Sequence, residues 1–137
     1  MVYEIFEHTA DLGLRIRAAT REALFVEAAR AFFSVLVADL AQVRPLRERR
    51  IQLAGSEFDL LLFDWLNELL FVFETEDLLL SEFELTLQPD GLEAVCRGEP
   101  LDHERHLLEH EVKAVTYHEL RVECQDGTWL AEVILDI

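Results

Sequence analysis

Cysteine is scarce in this 137-residue chain: Cys96 and Cys124 are the only two, and they do not form a Cys-x-x-Cys pair. That excludes a disulfide framework and a four-cysteine zinc site, and reduced thiols suit a cytoplasmic protein. Glycine is rare too. The five glycines are scattered, so no phosphate-cradling loop can be drawn from them. With three prolines and no Gly/Pro/Ser-rich stretch there is no linker, and residues 1–137 are expected to form a single domain. Positive charge is short as well: 12 basic residues face 28 acidic ones, for a formal charge of −16. Such a molecule repels phosphates at long range, so strong direct binding of nucleic acid is not expected. A basic protein or a bound cation is the natural partner. The longest apolar stretch, 58–73, is interrupted by Asp59, Asp64, Asn67 and Glu68, which a membrane span does not tolerate well. The N-terminal residues 1–8 lack a basic segment followed by an apolar core, so no secretory signal is expected and the protein is placed in the cytoplasm.

What is present is ample for a core: 51% of the residues are hydrophobic and 29% charged. Residues 2–7 alternate as a strand does, and 12–17 put Leu12, Leu14 and Ile16 on one face. His8 to Asp11 forms a short polar connection between them. Thr20 is placed to cap a helix running to about Ala38, with Leu24, Ala28, Ala31 and Val35 along one stripe. Pro45 precedes a strand at 49–53 and favours a sheet edge or an irregular start to that strand. Ser56 then opens a second helix with Asp59 in a capping-box position and Gly55 just outside. Its apolar residues exceed one stripe, which predicts a helix buried on two sides as the central core element, or one covered by a partner. Beyond Asp77 the pattern turns to strands: 83–87 alternates, Pro89-Asp90-Gly91 turns into 92–98, and 112–117, 119–124 and 128–135 follow, the last two joined at Asp126-Gly127. Between them, 101–111 reads as a polar loop or short helix. The chain is thus expected to be α+β: a single domain with a mainly antiparallel, mixed β-sheet and two helices packed on it.

Four places could carry chemistry. Asp11 sits in a loop with small neighbours, and Asp136 lies near the end of a strand apolar enough to be central, followed by Ile137 and its carboxylate. If the sheet brings the two ends together, three carboxylates converge, and either protonation or a cation must relieve their repulsion. Oxygen-only ligands favour Ca2+ or Mg2+ over zinc. The plainer alternative makes Asp11 a turn residue and Asp136 a solvated end. Lys113 is the one lysine beside eleven arginines. Either a compact ammonium is required there, or it guards a sheet edge. His103, His106 and His110, with Asp102, have spacings that would bind zinc on a helix, although their surroundings favour a polar loop. His8 beside Thr9 lacks a serine or cysteine nucleophile in any recognisable motif.

Glu7-His8-Thr9-Ala10-Asp11-Leu12-Gly13, Asp64-Trp65-Leu66-Asn67-Glu68-Leu69-Leu70, Val112-Lys113-Ala114-Val115-Thr116-Tyr117-His118 and Val133-Ile134-Leu135-Asp136-Ile137 together resemble the archease family. The four motifs occur in family order and span almost the whole chain. The resemblance implies an accessory protein without a catalytic site of its own. Its partner would be an RtcB-type RNA ligase, which joins a 2′,3′-cyclic phosphate or 3′-phosphate end to a 5′-hydroxyl in tRNA splicing or RNA repair. The accessory protein would promote guanylylation of the ligase's histidine and support multiple turnover. The resemblance also implies a divalent ion, Ca2+ in the first instance with Mg2+ or Mn2+ as alternatives. Carried onto this chain, its ligands are Asp11, Asp136 and the carboxylate of Ile137, and the functional lysine is Lys113. A second reading from another class is a chaperone-like modulator of an RNA-modifying enzyme such as a tRNA methyltransferase, marked by an exposed apolar face on the second helix. A free-standing metal-dependent hydrolase is a third, weakened by the missing nucleophile.

Overall fold

The structure is a computed structural model that describes residues 2–8 and 11–137. Strands β1 (Val2–His8) and β2 (Asp11–Ala18) lead into helix α1 (Arg21–Leu36) and a single 3-10 turn at Leu40–Gln42. Strand β3 (Arg47–Ala54), helix α2 (Phe58–Glu76) and strands β4 (Leu78–Gln88) and β5 (Gly91–Pro100) follow. After an irregular segment, β6 (Ala114–Gln125) and β7 (Thr128–Asp136) close the fold. The α+β expectation holds, but the strands form two sheets rather than one: β1-β2-β7-β6 and β3-β5-β4. Every pairing is antiparallel, so the sheets are not mixed. β7 lies between β2 and β6, as its apolar composition predicts, and β3 is an edge, as Pro45 predicts.

Local chemistry sets several element ends. The Thr20 hydroxyl accepts from the Ala23 N–H at 3.1 Å and caps α1. Asp126 and Gly127 both have positive φ, 53° and 79°, the combination that a two-residue hairpin with native twist requires. α2 starts differently from the expectation. Its first turn follows Glu57, which makes no side-chain capping bond, and the Asp59 carboxylate accepts from the next N–H, of Leu60, at 2.9 Å. Ser56 stands one residue too early to cap.

α2 packs on β6, β3, β4 and α1, buried on more than one side as expected, but α1 is the more deeply buried helix. It packs against strands of both sheets and against α2, and its buried residues surround the axis, from Leu24 and Phe25 through Ala28, Ala29 and Ala31 to Phe32, Phe33 and Leu36. Alanines on several sides allow two sheets to approach one helix. α2 buries Leu62, Trp65, Leu66, Leu69 and Val72, and the Trp65 indole N–H donates to the Phe25 carbonyl at 3.0 Å, joining the helices. Phe63 of α2 stacks on Tyr117 of β6 with ring centroids 3.8 Å apart. Among the described residues Phe71 is the large apolar side chain that α2 leaves exposed, so its wide apolar surface is spent mainly inside the molecule. No helix among the described residues is long and apolar enough to cross a membrane.

Candidate functional site

The register of the four-stranded sheet places the two ends of the sequence side by side. Asp11, the first residue of β2, stands directly opposite Asp136, the last of β7. Directly opposed residues share a sheet face, with Cβ atoms about 4.5–5.5 Å apart. On the far side of β7, Ala114 pairs with the same Asp136, and the Lys113 backbone N–H donates to the Asp136 carbonyl at 2.7 Å. Asp11, Asp136 and the backbone of Lys113 are thereby brought together at one end of the sheet. Lys113 is exposed, while Asp11, Asp136 and Ile137 are half-buried. Asp11 belongs to β2 and pairs with His8 of β1, so it is a strand residue rather than a loop residue. Thr9 and Ala10 lie outside the described residues.

Two carboxylates on opposed, same-face positions can reach a common cation, and hard oxygen donors match Ca2+ or Mg2+. Among the described residues no group of three histidine, cysteine, aspartate or glutamate side chains could hold a metal ion. Asp11 and Asp136 alone are two side-chain ligands, so a cation held between them would need further donors.

The same sheet face continues in two further rows. Beside the aspartates lies Phe6-Gly13-Ile134-Thr116, and beyond it Glu4-Arg15-Glu132-Arg121. The Phe6 ring covers Gly13 so closely that a Cβ there would fall 2.1 Å from it, so any larger residue displaces the ring. Ion pairs run across the outer row: Arg17 to Glu4 at 3.3 Å, Glu4 to Arg15 at 3.1 Å, Arg15 to Glu132 at 2.9 Å and Glu132 to Arg121 at 2.5 Å. The side-chain bonds to Arg15 and then Arg17 hold the Glu4 carboxyl below its usual value. Alternation within short strands does not show these rows, because they are made by pairings far apart in sequence.

The histidine-rich segment holds structure, not zinc. His106 is buried; its Nδ1 accepts from the Asp102 N–H at 2.9 Å, which leaves Nε2 to donate to Glu99 Oε2 at 3.2 Å. Both ring nitrogens are thus occupied. Glu99 is also buried, and its carboxylate accepts two bonds from Arg105, at 2.6 and 3.0 Å, and one from the Arg44 N–H at 2.7 Å. The Arg105 bonds dominate, with the Arg44 N–H and His106 adding to them, and outweigh burial to bring the Glu99 carboxyl down to about 2. The segment then returns to α1, where the N–H groups of Glu109 and His110 reach the Leu36 and Val35 carbonyls at 2.9 and 3.2 Å and satisfy the open end of that helix. Sequence reasoning missed Glu99; nothing in Arg97-Gly98-Glu99-Pro100 distinguishes it from a solvated strand-end glutamate. Of the two thiols, Cys96 is buried and pushed up to about 12 by that burial, and Cys124 is exposed.

The model of the Archease protein family (MTH1598/TM1083) matches residues 3–137. Protein archease of Methanopyrus kandleri is 45% identical over 141 residues, covering 100% of both chains. That of Pyrococcus abyssi is 36% identical over 140 residues, 98% of each. Among solved structures, the solution structure of Methanobacterium thermoautotrophicum protein 1598 superposes with a TM-score of 0.84 at 37% identity, over 98% of each chain. An archease from Thermotoga maritima, described as a possible chaperone, shares the fold, with a TM-score of 0.69 at 20% identity over 100% of this chain and 98% of its own.

Proposed function

The chain belongs to the archease family, and from that membership we propose that it is an accessory protein, with no catalytic site of its own, that activates an RtcB-type RNA ligase. One observation carries this reading above the others: Asp11 opposes Asp136, and the Lys113 N–H is bonded to Asp136. The residues that the family resemblance singles out come from three separate segments, and the sheet register makes them neighbours. Asp11, Asp136 and the Ile137 carboxylate hold a divalent ion, which supplies a local positive charge for phosphate oxygens. Asp11 and Asp136 fix its place at the sheet end, and Lys113 adds a mobile ammonium beside them. That end faces the ligase active site during guanylylation. The net charge of −16 supports the pairing, because an RNA-joining enzyme presents a basic surface and opposite charge speeds encounter. The tRNA-methyltransferase modulator would use an apolar face of α2, which the described residues mostly bury.

The test is RNA joining by a purified RtcB-type ligase with RNA in excess, following guanylylated ligase with labelled GTP. Adding the protein is expected to raise joining from about one turnover to many, a gain lost in Asp11→Ala while its circular dichroism stays native. Equal stimulation by the folded Asp11→Ala protein overturns the role of that residue. No stimulation by the unsubstituted protein with divalent ion present overturns the ligase reading. Calcium is also expected to raise the thermal midpoint, a shift removed by chelator and absent in Asp136→Asn. At a hundredfold excess over the dissociation constant that gain is about 2.7 kcal/mol.

A further inference from the structure

The two most exposed large apolar side chains among the described residues are Leu107, at 72%, and Leu46, at 65%. Both are held by backbone bonds to regular elements. The Leu46 N–H donates to the Gly98 carbonyl at 2.9 Å, and the Leu107 carbonyl accepts from the Ala38 N–H at 2.9 Å. Both also flank the Glu99 node, which draws Arg44, Arg105 and His106 onto one carboxylate. The fold thus holds two leucines in water around a single anchor, and leaves wet an apolar surface whose burial would be favourable.

Each leucine has a flank of one sign. Arg44 and Arg47 lie beside Leu46, Glu109 and Glu111 follow Leu107, and all four are exposed. Most arginines of the chain hold a carboxylate, and Arg21 lies over the Phe58 and Trp129 rings. Among the described residues the guanidinium groups of Arg44 and Arg47 hold neither, and Glu109 and Glu111 have no ion-pair partner. In a chain with 28 acidic residues for 12 basic ones, two adjoining arginines without a carboxylate are out of keeping. One half of this surface is apolar and basic and the other apolar and acidic, so the surface is complementary to itself. A two-fold axis lays each half on the opposite half of a second copy, which is the condition for an isologous contact. We infer that this face pairs two copies of the chain. Leu46 of each copy packs on Leu107 of the other, and Arg44 and Arg47 of each meet Glu109 and Glu111 of the other. A phosphate strand would use the arginines alone, and a basic protein the carboxylates alone; a second copy uses both. The charge of −16 per chain opposes approach at long range, but at 0.15 M salt it is screened beyond about 8 Å, and the contacts lie closer than that. This pairing does not depend on the ligase reading.

Sedimentation equilibrium tests this on the full chain at up to about 1 mM, where a dimer with a Kd of about 1 mM already holds about half of the chains. The unsubstituted protein is expected to move towards twice the mass of one chain, and a single-chain mass throughout overturns the pairing. Arg44→Glu/Arg47→Glu and Glu109→Arg/Glu111→Arg each set like charges across both contacts of their own dimer, so each protein alone is expected to stay monomeric. Mixed in equal amounts, the two present opposite charges at both contacts again, and the dimer should return. Leu107→Ser is expected to weaken dimerisation by roughly tenfold or more, as loss of a central apolar anchor does. Phe71→Ser, which removes an exposed apolar side chain elsewhere, should dimerise normally. If a charge-reversed protein lacks native circular dichroism, Leu107→Ser decides. Folded variants that dimerise as the unsubstituted protein does, or a mixture of the two charge-reversed proteins that stays monomeric, overturn the pairing.

Discussion

Glu99 shows how one buried carboxylate can organise a segment that has no regular structure. Arg105, the Arg44 N–H and His106 converge on it, and through them it ties residues 102–106 to the end of β5 and to the chain before β3. Its folded-state pKa of about 2 lies below its ordinary value of 4.5. The stabilisation is therefore complete above about pH 4.5 and disappears as pH falls through about 2. Glu99→Gln is expected to lose about 2 kcal/mol in urea unfolding at pH 7, the cost of leaving buried donors poorly matched. The gap from the unsubstituted protein should narrow steadily as the buffer is taken from pH 4.5 towards pH 2. A constant gap across that range would exclude Glu99 as its source. His103 and His110 share no such cluster with His106, and this is why spacing alone suggested a metal site where the fold built a buried hydrogen-bond node.

Helix ends give a sharper contrast between neighbouring sequence signals. Thr20 makes its capping bond and Ser56 makes none. Thr20→Ala should cost about 1 kcal/mol, whereas Ser56→Ala should stay within about 0.5 kcal/mol of zero. Thermal melts of the two variants, run side by side, check the pair. The elements themselves were legible in the sequence because each is governed by local period: alternation at 12–17 and 83–87, a helical stripe from Leu24 to Val35, turn chemistry at Asp126-Gly127. Less visible was which helix lies deepest. Leucines and phenylalanines advertise α2, yet the small side chains of Ala28, Ala29 and Ala31 let α1 sit between both sheets. The split into two sheets was also hidden, since β2 with β7 and β3 with β5 are long-range pairings that no local window contains. The candidate site was partly legible: Asp11, Lys113 and Asp136 were named through family motifs, and only the register explains their adjacency.

On the scale of the whole molecule, 28 acidic residues against 12 basic ones make self-repulsion a standing cost of compactness. The ion pairs on the outer sheet face offset it locally but leave a large surplus of negative charge. Salt screens repulsion over about 10 Å at 0.1 M. The thermal midpoint at pH 7 is therefore expected to rise between 10 mM and 200 mM sodium chloride. A fall would mean that the surface ion pairs outweigh the surplus. Encounter with a basic partner should respond in the opposite sense, its association rate dropping over the same salt range while dissociation changes less.

The pairing of Asp11 with Asp136 also has a consequence in time. The ribosome releases the first carboxylate early and the second only with β7, so no chain that stops short of β7 can assemble the pair. Strand β2 must wait, with β1 already available beside it, for a partner made last. The junction between β2 and β7 is therefore among the last pairings that folding can complete.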